Sequence, residues 1–163
     1  MHQSPFYPGT GDAAEVGAGP GLGFTVNVPM EAGASDADYR LVFEAVIDPV
    51  VRQFAPDLIL VSLGVDAHER DPLAGMRLST DAFGAMTAHI RQLADACCQG
   101  RVVVVTEGGY DLMALAESLA AVLAVLAETP TGAPGWMAAA SEPVRGRAAV
   151  SAARQALSRF WRL

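Results

Sequence analysis

The sequence has 163 residues, 52% of them hydrophobic and 18% charged, the composition of one folded domain rather than of a disordered segment. Its net charge is −7 and its pI about 4.8, with no run of Lys and Arg, which excludes the basic footprint of a nucleic-acid binder. The longest apolar segment, Leu112 to Leu126, contains Glu117 and Ser118 and is too short to cross a bilayer.

Residues 1–23 are rich in Gly, Pro and Ser and show no period, so they read as loop. Phe24 to Val28 is a short β-type run closed by Pro29. Asp36 is expected to cap a helix in which Tyr39, Val42, Phe43, Val46, Ile47, Val50 and Val51 share one face. Pro49 should kink that helix or end its regular part. Leu58 to Leu63 is an unbroken apolar run of strand length, which predicts a parallel strand covered on both faces. Ser79 or Thr80 caps the next helix, with Phe83, Met86, Ile90, Leu93 and Cys97 on one side. Arg101 to Thr106 reads as a second buried strand. Asp111 to Leu126 is an Ala- and Leu-rich helix, apolar nearly all round and so expected deep in the fold. Residues 129–146, with Pro130, Pro134 and Pro143, read as loop, and Ala148 to Trp161 as a last helix. Strands alternating with helices predict an α/β fold, a three-stranded parallel sheet with helices on both faces. So small a sheet leaves an edge open to association.

In open α/β sheets, ligands bind beyond the carboxyl ends of the strands. Two such ends carry chemistry here: Ser62 to Leu73 (SLGVDAHERDPL) and Thr106 to Tyr110 (TEGGY). Asp66 and Tyr110 would share one rim. A carboxylate is a hard oxygen donor for a divalent metal. A tyrosine hydroxyl on a Gly-Gly turn can donate a hydrogen bond to developing negative charge. On this reasoning alone, capping and packing roles outweigh a catalytic pair for these two residues.

Other patterns lead nowhere. Adjacent Cys97 and Cys98 lack C-x-x-C spacing and read as small apolar helix residues. Gly17 to Gly23 precedes a strand and contains Pro20, the wrong setting for a dinucleotide loop. Gly9-Thr10-Gly11-Asp12 lacks the Lys of a phosphate loop, and Ser4 and Ser62 have no matched His and Asp partners.

Three blocks carry a family resemblance. HQSPFYPGTGDAAEVGAGPGLGFTVNVPM, SLGVDAHERDPLAGMRLST and VVVVTEGGYD resemble, in order and spacing, the C-terminal half of the zinc-dependent deacetylases of the histone deacetylase and acetylpolyamine amidohydrolase superfamily. The runs are nearer to bacterial and class II-like members, acetoin-utilisation proteins included. The resemblance covers Met1 to about Leu126. It implies a partial arginase/deacetylase-like fold, one domain over 1–163: a tunnel loop (1–23), an α/β core (24–126), then a loop and C-terminal helix (127–163).

The resemblance implies hydrolysis of an acetyl-amide of lysine or a polyamine at a single Zn2+. Asp66 matches the downstream zinc ligand and Tyr110 the oxyanion tyrosine, presented by Gly108 and Gly109. Phe6, Tyr7 and Leu73 match the walls of the acyl tunnel. The family's Asp-x-His ligand pair and His-His dyad have no counterpart. Of the three histidines, His2 and His89 match no ligand, and His68, two residues from Asp66, is expected to bond nearby backbone instead. Weak or absent zinc binding and no turnover by this chain alone are therefore expected. The chain reads as part of a longer or split enzyme, or else as a non-catalytic interaction or dimerisation module. Its expected partners are the missing N-terminal half or a second copy, without nucleic acid or membrane. No charged and apolar leader follows Met1, so a cytoplasmic location is expected.

Overall fold

The computed structural model describes residues 1–127, Trp136 and 142–163. Its elements run β1 (His2–Gln3), β2 (Pro29–Met30), α1 (Asp36–Val42), a π-helical turn (Phe43–Ile47), α2 (Asp48–Phe54), β3 (Ile59–Leu63), α3 (Thr80–Cys98), β4 (Val102–Thr106), α4 (Leu112–Ala127) and α5 (Val144–Leu157). Two parallel pairs form, β1 with β2 and β3 with β4. The arrangement is α/β, parallel strands alternating with helices.

The expected strand at Phe24–Val28 is absent. The pairing moves to Pro29 and Met30, which align with His2 and Gln3. Phe24 instead meets Phe54 and Trp161 edge-on, at centroid distances of 5.9 and 6.0 Å. His2 is accordingly held in a strand, within the stretch expected as loop.

Ser35, not Asp36, caps α1. The Ser35 N–H and hydroxyl both donate to Asp38 Oδ2, at 2.8 and 2.9 Å. Asp36 turns to α3 instead, accepting from the Ser79 N–H at 2.9 Å and its hydroxyl at 2.6 Å. The disruption expected at Pro49 takes the form of the π-helical turn just before it. A wider turn accommodates a ring that would otherwise meet the carbonyl four residues back. Ser79 caps α3, its hydroxyl accepting from the Ala82 N–H at 3.3 Å. Cys98, rather than Cys97, faces the core.

The core joins Val28, Met30, Tyr39, Val42, Val46, Val65, Leu78, Phe83, Val122 and, from α5, Val150, Ala153 and Leu157. The apolar runs of β3 and β4 are not buried on both faces. Exposure alternates along them, with Leu60 at 70%, Val103 at 47% and Val105 at 54%. Nor is α4 deep: only Ala114, Ser118, Val122 and Val125 are buried, while Leu112, Met113 and Leu123 are exposed. Apolarity marks which faces can be covered, and no described residue covers these. The last helix begins at Val144, four residues earlier than expected, with Pro143 at its N-cap. Most of the expected loop at 129–146 lies outside the described residues.

Candidate functional site

The register of β3 and β4 aligns Leu63 with Thr106, so both strands end at one level and both expected site loops leave from there. Two bonds continue the ladder past the strands. The Glu107 N–H donates to Leu63 O at 2.9 Å, and the Val65 N–H to Gly108 O at 2.7 Å. Ser62 and Glu107 bond side chain to side chain beside them.

Asp66 follows directly. Its carboxylate lies between two glycines: a Cβ on Gly64 would stand 3.0 Å from Oδ1, and one on Gly108 2.9 Å from Oδ2. Burial pushes the Asp66 carboxyl above the usual range, and the negative charge of Asp71 adds to this, against backbone N–H bonds from its own residue and Ala67. Gly109 has φ +139°, and a Cβ there would meet Val65 Cβ at 3.1 Å and Leu115 Cδ1 at 3.2 Å, which explains a glycine at that point. Tyr110 follows, a residue 59% exposed.

A cavity of about 750 Å³ runs along one face of β3 and β4, from Val102 at the start of β4 to this end of the strands. Asp66, Tyr110, Phe6, Tyr7 and Leu73 all line it, with Tyr39 and Phe43 from the first helical segment and Phe83, Met86 and Ile90 from α3. Five expected site residues thus come together; Gly108 and Gly109 form the turn beside the cavity without lining it. Tyr7 is 90% exposed and Phe6 and Leu73 are also exposed, so this rim is open.

His68 and His89 take structural positions, while His2 lines the cavity. His68 is buried; its Nδ1 accepts from the Arg70 N–H at 3.1 Å, so Nε2 carries the proton toward Thr80 Oγ1, 3.1 Å away. The ring stacks on Phe83. His89 Nε2 lies 3.0 Å from Asp48 Oδ2. Among the described residues no three His, Cys, Asp or Glu side chains are grouped to hold a metal. Catalytic zinc takes three protein ligands. Asp66 alone therefore does not make a zinc centre.

Two residues of the site were not singled out from sequence. Tyr39 is buried against the cavity, its hydroxyl pushed upward in pKa by burial and by the charge of Asp66. Its helical period marked it only as core. Asp71 is buried too, and binds both loops. An Asp-Pro pair can signal a turn, but no local pattern signals a partner 39 residues away.

A family model described as "Histone deacetylase domain" matches residues 1–126. Histone deacetylase 10, chloroplastic, of Oryza sativa subsp. japonica is 47% identical over 119 residues, 73% of this chain and 27% of that protein. A probable deacetylase of Archaeoglobus fulgidus is 41% identical over 111 residues, 68% of this chain and 31% of that protein. Among solved structures, the HDA15 HD domain is similar with a TM-score of 0.81 and 34% identity, covering 96% of this chain and 41% of that one. The histone deacetylase Clr3 gives 0.84 and 36%, covering 96% and 26%. The chain spans about a third or less of the length of the two curated relatives.

Proposed function

This chain belongs to the histone deacetylase family, and we propose that it forms the C-terminal portion of a zinc-dependent deacetylase acting on acetyl-lysine or acetyl-polyamine amides. One observation carries the reading: Asp66, Tyr110, Phe6, Tyr7 and Leu73, from three separate stretches of sequence, line one cavity. In this reading Asp66 is a carboxylate ligand of Zn2+, and the remaining ligands and the histidine dyad come from residues outside this sequence. The Tyr110 hydroxyl donates a hydrogen bond to the amide oxygen as negative charge develops on it. Gly108 and Gly109 present that tyrosine, while Phe6, Tyr7 and Leu73 flank the acyl chain. The chain alone deacetylates nothing.

The test measures zinc content and acetyl-lysine hydrolysis on the purified chain, alone and co-expressed with the N-terminal deacetylase segment of a relative. Turnover only in the complex, lost with Tyr110→Phe, is expected. Stoichiometric zinc and turnover by the chain alone would overturn its inactivity, and no turnover from a stable complex would remove the deacetylase reading.

The exposed apolar face of β3 and β4 favours a second reading, an interaction or dimerisation module built on the deacetylase fold. Self-association that persists beside the N-terminal segment, with no hydrolysis, would favour it.

A further inference from the structure

Asp71 is 8% exposed, and its two carboxylate oxygens serve different loops. Oδ1 accepts from the N–H groups of Leu73 and Ala74, at 2.9 and 3.1 Å, closing its own Asp-Pro-Leu turn. Oδ2 accepts from the Tyr110 N–H at 2.8 Å, across the gap between the strand ends. Burial alone would raise the Asp71 pKa, yet the backbone donors of Tyr110, Leu73, Ala74 and Asp111 outweigh it and hold the carboxyl below its usual range. A charged acceptor makes each of these bonds stronger than a neutral one.

The turn before Tyr110 is tied to the β3 loop by the Val65 N–H bond to Gly108 O and by Gly109 lying against Val65 and Leu115, whereas Asp71 holds the backbone of Tyr110 itself. Tyr110 is mostly exposed, so packing does not hold it. Gly108 and Gly109 bring no side chains of their own, so the turn is held through backbone bonds and close contacts. Downstream, Asp111 caps α4, its Oδ1 accepting from the Ala114 N–H at 2.7 Å. Between the glycines and that cap, the Tyr110 N–H has Asp71 as its partner.

We propose that Asp71 is a positioning residue: one buried carboxylate clamps the loop bearing Leu73 to the turn bearing Tyr110, and so sets the tyrosine hydroxyl relative to the cavity wall. What the cavity holds rests on the deacetylase reading; the clamp does not.

The test is amide hydrogen exchange by NMR on the full chain, comparing wild type with Asp71→Asn. The carboxamide can keep one oxygen for the Leu73 turn but loses the second anionic acceptor. Exchange at the Tyr110 amide should rise at least about tenfold, the scale of a lost hydrogen bond to a charged group. The core amide of Ala153 in α5 should stay unchanged. An unchanged Tyr110 amide overturns the proposal. So does a uniform rise that includes Ala153, because that reports only lost stability. If Asp71→Asn does not fold, wild type decides: a Tyr110 amide protected well beyond other exposed turn residues supports the clamp, and an unprotected one removes it. A failed hydrolysis test would sink the deacetylase reading and leave this result standing.

Discussion

Gly108, in the turn after β4, rests against the carboxylate of Asp66, in the loop after β3: a Cβ on Gly108 would lie 2.9 Å from Asp66 Oδ2. No real Cβ contact is that short, so any larger residue at 108 moves the carboxylate or the turn. Gly108→Ala should cost about 1–3 kcal/mol, the scale of overpacking in a filled site, and shift the Asp66 resonances in a carbonyl-detected NMR spectrum. Unchanged melting and unchanged Asp66 signals would show that the two loops yield freely.

Tyr110→Phe removes an exposed hydroxyl and should leave stability within about 0.5 kcal/mol. In the completed enzyme it should lower kcat by about 10²–10³, the scale of losing one oxyanion donor. Melting curves and turnover of the same variant separate these two effects. A large loss of stability would mean the hydroxyl serves packing instead.

Asp38 is nearly fully buried and binds α1 to α5. Besides Ser35, it accepts from the Gly146 N–H through Oδ1 at 2.8 Å. A Cβ on Gly146 would stand 2.8 Å from Asp38 Cα, so the helices touch backbone to backbone. Asp38→Ala leaves the Gly146 N–H buried without its acceptor and should destabilise by about 1–3 kcal/mol. Chemical denaturation measures this, and a change below about 0.5 kcal/mol would count against the bond.

Acid sensitivity is expected at Asp48. Burial opposes its ionisation, but hydrogen bonds from Arg52 and His89 prevail and hold its pKa below the usual value. A depressed folded-state pKa means the stabilisation is present above the unfolded value, about 3.9, and is lost as pH falls through the folded one. Asp48→Asn should therefore lower the melting temperature at pH 7 and flatten its dependence on pH below about 4. Parallel curves for variant and wild type would exclude the linkage.

The exposed face of Leu60, Val103 and Val105 should drive self-association of the isolated chain. Leu60→Lys with Val103→Glu, opposite charges on directly paired residues, should shift sedimentation toward monomer at equal concentration and leave the melting temperature nearly unaltered, since neither side chain is buried. A wild-type chain that is monomeric at high concentration would show that this face is inert.

Much of the local structure was legible in the sequence, because it depends on neighbours in the chain. The Ser79 cap, the interruption before Pro49 and the two strand–loop blocks ending in Asp66 and Tyr110 all follow from residues within a turn or two. The Asp66 and Tyr110 blocks also carried the family resemblance. Tertiary structure alone decided the rest. It set Gly108 against Asp66, passed the second oxygen of Asp71 to Tyr110, and turned Asp36 from the cap of its own helix to a partner of Ser79. It also left Leu60, Val103 and Val105 bare: a run of apolar residues records which faces can be buried, and only packing determines whether anything lies against them.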